Sequence, residues 1–123
     1  GYARETVIAE KFQAMVALGL TNTRIKDYYD VWLLSQSFEF DEDQLARAIA
    51  ATFERRETDI PSETPDGLTP AFSEDEAKRR QWEVFVRDVS FEPGSLQDVV
   101  AELSGFLMPI ANMASVLQAE AKS

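Results

Sequence analysis

Apolar residues recur at helical spacing along almost the whole chain. Val7, Ile8, Phe12, Met15, Val16 and Gly19 fall three and four apart and predict a first helix from about Arg4 to Leu20. Gly19 weakens its end, and the polar run Thr21-Asn22-Thr23 breaks it. A second helix is predicted from near Ile25 to about Ser37, with Asn22 or Thr23 as its cap. Tyr28, Tyr29, Val31 and Trp32 would also suit a strand. Helix is favoured because Asp30, Leu33, Leu34 and Ser37 keep helical spacing.

The third helix has a strong start: Asp41 can cap it, and Gln44 stands three residues on, as a capping box requires. Leu45, Ala48, Ile49, Thr52 and Phe53 form its stripe, and it ends near Arg56, where basic side chains suit the helix dipole. The stretch from Glu57 to Phe72 holds three of the five prolines and a Pro-Asp-Gly turn signal. It reads as a long surface loop, of a length that suggests function or mobility. A fourth helix opens with the box Ser73 and Glu76 and carries Ala77, Trp82, Phe85 and Val86. Ser95 caps a fifth, whose stripe runs Leu96, Val99, Val100, Leu103, Phe106, Leu107, Ile110, Met113, Leu117; Pro109 is expected to kink or split it. There is no internal repeat and no low-complexity tract. The expectation is an all-α domain spanning 1–123, a compact bundle of about five helices with one long Pro-rich loop.

Composition narrows the chemistry. The 123 residues are 45% hydrophobic and 28% charged, ordinary for one globular domain that buries its own core. With no cysteine there is no disulfide and no thiolate metal site. With no histidine, the usual general base and the serine and cysteine triads are gone. Acid–base or metal chemistry would have to run on carboxylates and lysine. The net charge of −10 argues against a surface that is a nucleic-acid platform throughout, and leaves room only for a local basic patch. No apolar run approaches the roughly 20 residues of a membrane span, and no signal peptide opens the chain. A cytoplasmic protein without membrane contact is expected. Gly1 reads as a cloning scar, and the first periodic segment starts almost at once, so a piece of a longer protein is expected.

The charges concentrate around Asn22–Leu34. Lys11 lies three after Ile8 and four before Met15, so it projects from the apolar side of its helix. Snorkelling to water would account for that. Asp27 and Asp30 are three apart and point the same way. Asp27 suits the first-turn dipole and Asp30 suits an intrahelical pair with Lys26. Neither explains why Asp30 is followed by four apolar residues. A carboxylate at the rim of a core needs a partner or a metal, and Lys11 is the candidate if the first two helices form a hairpin. Asp41-Glu42-Asp43 imitates a magnesium-binding D-x-D triplet, but it sits where a helix needs a cap and no Gly-Ser turn precedes it. Arg55–Arg56 and Arg79–Arg80 could touch phosphate; the default reading is a solvated helix face.

Residues Arg4–Leu34 resemble the C-terminal part of the AbiEii-type nucleotidyltransferase toxins of bacterial abortive-infection and toxin–antitoxin systems. The likeness rests on a helix carrying Glu5, Ala9, Lys11 and Ala14, followed by the element R-x-K-D-x-x-D at Arg24 to Asp30. Thr52–Pro61 and the Trp82 segment also look like family sequence. The resemblance implies a fold like the DNA polymerase beta-type nucleotidyltransferases. In these a Gly-Ser turn and a D-x-D pair in the N-terminal half bind magnesium and nucleotide phosphates. By motif, Lys11 would contact the triphosphate of a bound nucleoside triphosphate, and Asp27 would act as base for the attacking hydroxyl or orient the metal site. Arg24, Lys26 and Asp30 would bind nucleotide or hold that arrangement. Phosphoryl transfer runs largely on positioning and charge neutralisation, so a lysine and a carboxylate are useful parts.

This chain departs from the pattern in one respect. No Gly-Ser followed by D-x-D occurs in it: Gly94–Ser95 is followed only by Asp98, at a helix cap. It is therefore expected to be inactive alone and to complete a site with an N-terminal nucleotidyltransferase domain of the same parent. A cognate antitoxin and an RNA acceptor are the other expected partners. The alternative is a non-catalytic helical module that binds an antitoxin, RNA or itself.

Overall fold

A computed structural model describes residues 3–122; Gly1 lies outside the described residues. The described residues are all-α and form six α-helices: α1 (Ala3–Leu18), α2 (Ile25–Ser37), α3 (Glu42–Arg55), α4 (Pro70–Ser73), α5 (Glu76–Phe85) and α6 (Leu96–Lys122). Among the described residues there is no strand. The five expected helices are present, and the sixth is a single turn within the long loop.

α1 packs on α3, α3 on α6, and α2 on both α6 and α1. Ile8, Phe12 and Met15 from α1, Leu45, Ile49 and Phe53 from α3, and Leu103 and Leu107 from α6 are wholly buried in one core. The Phe12 and Phe53 rings meet at 5.3 Å between centroids. α1 and α2 form the anticipated antiparallel hairpin. The guanidinium of Arg4, at the start of α1, lies 3.6 Å from the centroid of the Phe38 ring at the end of α2. α1 stops at Leu18 because Gly19 takes a left-handed φ of +54° and turns the chain into a short 3-10 segment.

The caps follow the sequence in two places and depart from it in two. The Asp41 carboxylate accepts from the N–H groups of Asp43 and Gln44, and the Ser95 hydroxyl accepts from the Asp98 N–H. α5, however, is capped by Asp75, which accepts from the Lys78 N–H, and not by Ser73, which closes α4 and is buried. Ahead of α2, the buried Asn22 accepts from the Arg24 N–H and shapes the approach turn, while Arg24 itself occupies the cap position without a side-chain bond.

The long loop is not a surface loop throughout. Its centre, a 3-10 turn at Asp66–Leu68, is pressed into the core beside α1, and Leu68 and Phe72 are buried. The Tyr28 hydroxyl donates to the Gly67 carbonyl at 2.7 Å, and the Tyr28 and Phe72 rings stack at 4.7 Å. Leu68 and Phe72, four apart, gave this segment the apolar anchor that its prolines disguised. α3 ends in a Schellman turn: the Thr58 N–H reaches the Phe53 carbonyl at 2.9 Å, with Glu57 in the left-handed position that glycine usually fills (φ 51°).

Pro109 does not split α6, which runs unbroken to Lys122. The proline ring bears on the carbonyl four residues back. That residue is Gly105, which has open space around it and the freedom to tilt. At 27 residues, α6 is also long and apolar enough to cross a membrane, with an 18-residue window of mean hydropathy 1.5, contrary to the reading of short apolar runs. Its apolar stripe is the protein's own core: Leu96, Val99, Val100, Leu103, Leu107, Ile110, Ala111 and Ala114 are all buried.

Two substitutions test this architecture by chemical denaturation. A Cβ at Gly67 would stand 2.6 Å from the Met15 carbonyl oxygen and 3.1 Å from the Tyr28 hydroxyl. Gly67→Ala is therefore expected to destabilise by about 1–3 kcal/mol. Glu57→Gly is expected to stabilise by about 0.5–1 kcal/mol, the strain relieved less the extra freedom of glycine in the unfolded chain.

Candidate functional site

The α1–α2 hairpin sets an ammonium against two carboxylates. Lys11 Nζ lies 2.8 Å from Asp27 Oδ1 and 3.3 Å from Asp30 Oδ2, and Lys26 Nζ lies 2.7 Å from that same Asp30 oxygen. The four side chains make a ladder of alternating charge across two helices. Its inner members are shielded, with side-chain exposures of 24% for Lys11, 16% for Asp27 and 23% for Asp30; Lys26, at 68%, is the outer rung. Burial of Lys11 works against its charge. The hydrogen bonds and attraction of Asp27, then of Asp30, outweigh it and hold the ammonium above its ordinary 10.5.

Helical geometry places these groups. Asp27 and Asp30 are one turn apart on α2, and the residues between and beside them, Tyr28, Tyr29 and Val31, are buried and fix the helix rotation. Tyr28 is the inner anchor. Burial pushes its phenol far above the usual range and the Asp27 carboxylate adds to this, while the Asn22 side chain opposes it. The phenol keeps its proton and donates it to Gly67.

Beside the ladder lies a hollow of about 530 Å³ lined by Thr6, Val7, Glu10, Lys11, Gln13, Ala14, Arg24, Asp27 and Arg56. Its size is that of a small-molecule site. Of the residues singled out in the sequence, Lys11, Asp27, Arg24 and Arg56 line it. Asp30 and Lys26 do not, and Arg24 stays out of the ladder.

The sequence reading missed how Glu10 and the double arginine meet. Glu10 bridges two arginines: Arg55 donates to its Oε1, and Arg56 lies 2.7 Å from its Oε2. These arginines are therefore not a plain solvated face, but a clamp between α3 and α1. Gln13, nearly buried, donates to the Thr58 hydroxyl at 3.0 Å and ties α1 to the turn after α3. The signal was present: Glu10 precedes Lys11 and faces the double arginine, but nothing in the sequence shows that α1 and α3 are neighbours.

The other groupings have structural roles. Asp41 caps α3, and Asp43 pairs with Arg47 at 2.9 Å. Arg80 pairs with Glu76 one turn away, on the solvated face expected for it. Among the described residues, no three carboxylates gather as metal ligands would.

The sequence model of one family, described as the nucleotidyl transferase AbiEii toxin of type IV toxin–antitoxin systems, matches residues 1–102. The chain belongs to that family. The match takes in α1 to α5 and the opening of α6, and so contains the whole lining of the hollow. No curated protein and no solved structure matches the chain. AbiEii membership gives the chain a nucleotidyltransferase-type function in a toxin–antitoxin system, and such a system includes a cognate antitoxin.

The ladder makes a direct electrostatic prediction. Lys11 has a raised pKa in the folded chain, so its contribution is complete below the unfolded value of about 10.5 and is lost as pH climbs through the folded one. A double-mutant cycle on Lys11→Met and Asp27→Asn is expected to give a coupling of about 1 kcal/mol at pH 7. The coupling should hold to pH 10 and shrink above it, read from urea denaturation at each pH.

Proposed function

We propose that this chain is the helical part of an AbiEii nucleotidyltransferase, in which Lys11 and Asp27 serve one nucleotide. The observation that carries this reading is the 2.8 Å contact between Lys11 Nζ and Asp27 Oδ1 on the wall of a hollow large enough for a small ligand. Lys11 neutralises charge on the triphosphate. When an acceptor hydroxyl oxygen bonds to the α-phosphorus, the bond to the bridging oxygen of the β-phosphate breaks, and pyrophosphate leaves carrying charge that an ammonium stabilises. Asp27 accepts the proton of the attacking hydroxyl or orients that hydroxyl. Its Oδ1 is engaged by Lys11 in the resting arrangement, so the approach of phosphate to the ammonium releases the carboxylate for this work. Asp30 and Lys26 hold the ladder in register from outside the hollow.

Magnesium, which such transfer uses to polarise the phosphates, does not fit these residues by themselves. Asp27 and Asp30 both accept from lysine ammonium groups, and no third carboxylate joins them among the described residues. The metal ligands belong, in this reading, to an N-terminal domain of the same parent, which closes the hollow from the other side and works in the cytoplasm. RNA is the proposed acceptor.

One observation favours the second reading, a binding module whose charges only fix helix packing. The ladder is self-neutralising, with two cations on two carboxylates, as a purely structural network would be. The readings separate in the full-length parent. Lys11→Ala and Asp27→Ala are each expected to lower labelled-nucleotide transfer to RNA by at least about 100-fold while melting within a few degrees of wild type. Unchanged turnover in both variants would leave only the packing role.

A further inference from the structure

The chain carries a net charge of −10, yet its hollow is lined by three cations, Lys11, Arg24 and Arg56, against two carboxylates, Glu10 and Asp27. A more open hollow of about 420 Å³ adjoins it, sharing Gln13 and Arg56 and adding Arg55. Together they form one depression that starts at the Lys11–Asp27 pair and ends at Arg55. Beyond that pair its charged lining is three arginines and Glu10.

Glu10 is divided between two of them. One carboxylate oxygen meets Arg55 and the other meets Arg56, so a single negative charge serves two guanidinium groups. Arg24 has no ion pair among the described residues. A C-terminal helix dipole tolerates arginine at positions like 55 and 56. It does not account for both turning to one carboxylate, nor for the unmatched Arg24. Two guanidinium forks converging on separate oxygens of one anion are the arrangement with which arginines grip phosphate. The terminal phosphate of a polyphosphate would bring a third oxygen and more charge than Glu10 supplies, while a phosphodiester would match the two oxygens and single charge of that carboxylate. The arginine side chains are more than half exposed, at 58% and 53%, so exchanging one anion for another requires little desolvation.

We propose that Arg55 and Arg56, with Arg24 lining the same depression, form a phosphate site in which the Glu10 carboxylate stands in until a phosphate displaces it. The shared chemistry is a phosphate oxyanion, supplied by the polyphosphate tail of a nucleotide or by a phosphodiester of an acceptor strand. The site rests on the nucleotidyltransferase reading for its role, but its binding can be measured without it.

The test titrates the 123-residue chain at low salt with two probes, inorganic tripolyphosphate and a ten-residue oligouridine, by calorimetry. At least one probe is expected to bind, and the one that responds to the arginine changes identifies the source. Glu10→Gln removes the competing anion and should tighten that probe several-fold, a gain that misfolding cannot produce. Arg55→Ala/Arg56→Ala should weaken it by at least about tenfold. If the oligonucleotide is the ligand, its log–log salt slope should fall by about 0.7 for each arginine lost. Three results would overturn the proposal: no binding of either probe to wild type or to Glu10→Gln, no tightening in Glu10→Gln, or unaltered affinity in the double variant. Lys11→Ala keeps the two ideas apart. Binding that depends on Lys11 and not on Arg55–Arg56 ends this proposal and leaves the nucleotide pocket standing; the reverse keeps the phosphate site and ends the other.

Discussion

Two adjacent residues of α2, Asp27 and Tyr28, impose the constraint on which the rest of the structure depends. Tyr28 is wholly buried and needs an acceptor for its hydroxyl; Asp27, one position earlier, is at the rim and needs a cation. Consecutive helical residues point about a quarter-turn and more apart, so the two demands fall on different neighbours. The Gly67 carbonyl meets the first, and that requires the loop after α3 to fold inward. Lys11 meets the second, and that requires α1 to lie antiparallel to α2 at one register. Rotating α2 by a single residue would break both at once.

The same economy appears at the end of α3. The left-handed Glu57 lets the helix stop short, so that Thr58 reaches back to Gln13 and the two preceding arginines turn toward Glu10. A strained residue beside a cluster of charges is a frequent companion of function. Here the strained residue directly follows Arg56, which lines the hollow together with the Lys11–Asp27 pair.

Much of the fold was legible because the apolar stripes are strong. The stripes of α3 and α6 and the caps at Asp41 and Ser95 lie where periodicity and cap chemistry put them. Lys11 was the expected partner of Asp30 if the first two helices formed a hairpin; it does reach Asp30, at 3.3 Å, but its shorter contact, at 2.8 Å, is with Asp27. What escaped the sequence depended on distance in the chain. Prolines at 61, 65 and 70 described a surface loop, and only the tertiary fit of Leu68 and Phe72 made its centre part of the core. Ser73 and Asp75 are both good caps two residues apart, and local pattern cannot choose between them. Pro109 predicts a break until the compliance of Gly105 and the packing around Ile110 and Ala111 are weighed with it. Glu10 and the arginine pair are 45 residues apart, and only the packing of α1 on α3 brings them together.

The second half of α6 braces α3 from beyond the matched region. The matched region ends at residue 102, yet Leu103, Leu107, Ile110, Ala111 and Ala114 lie beyond it and are buried, and Gln118 donates to the Ala50 carbonyl of α3. α3 carries the arginine wall, and this stretch of α6 is its roof. A chain cut after residue 102 would lose these five buried side chains and the brace on α3, so the arginine wall stands only while α6 is whole.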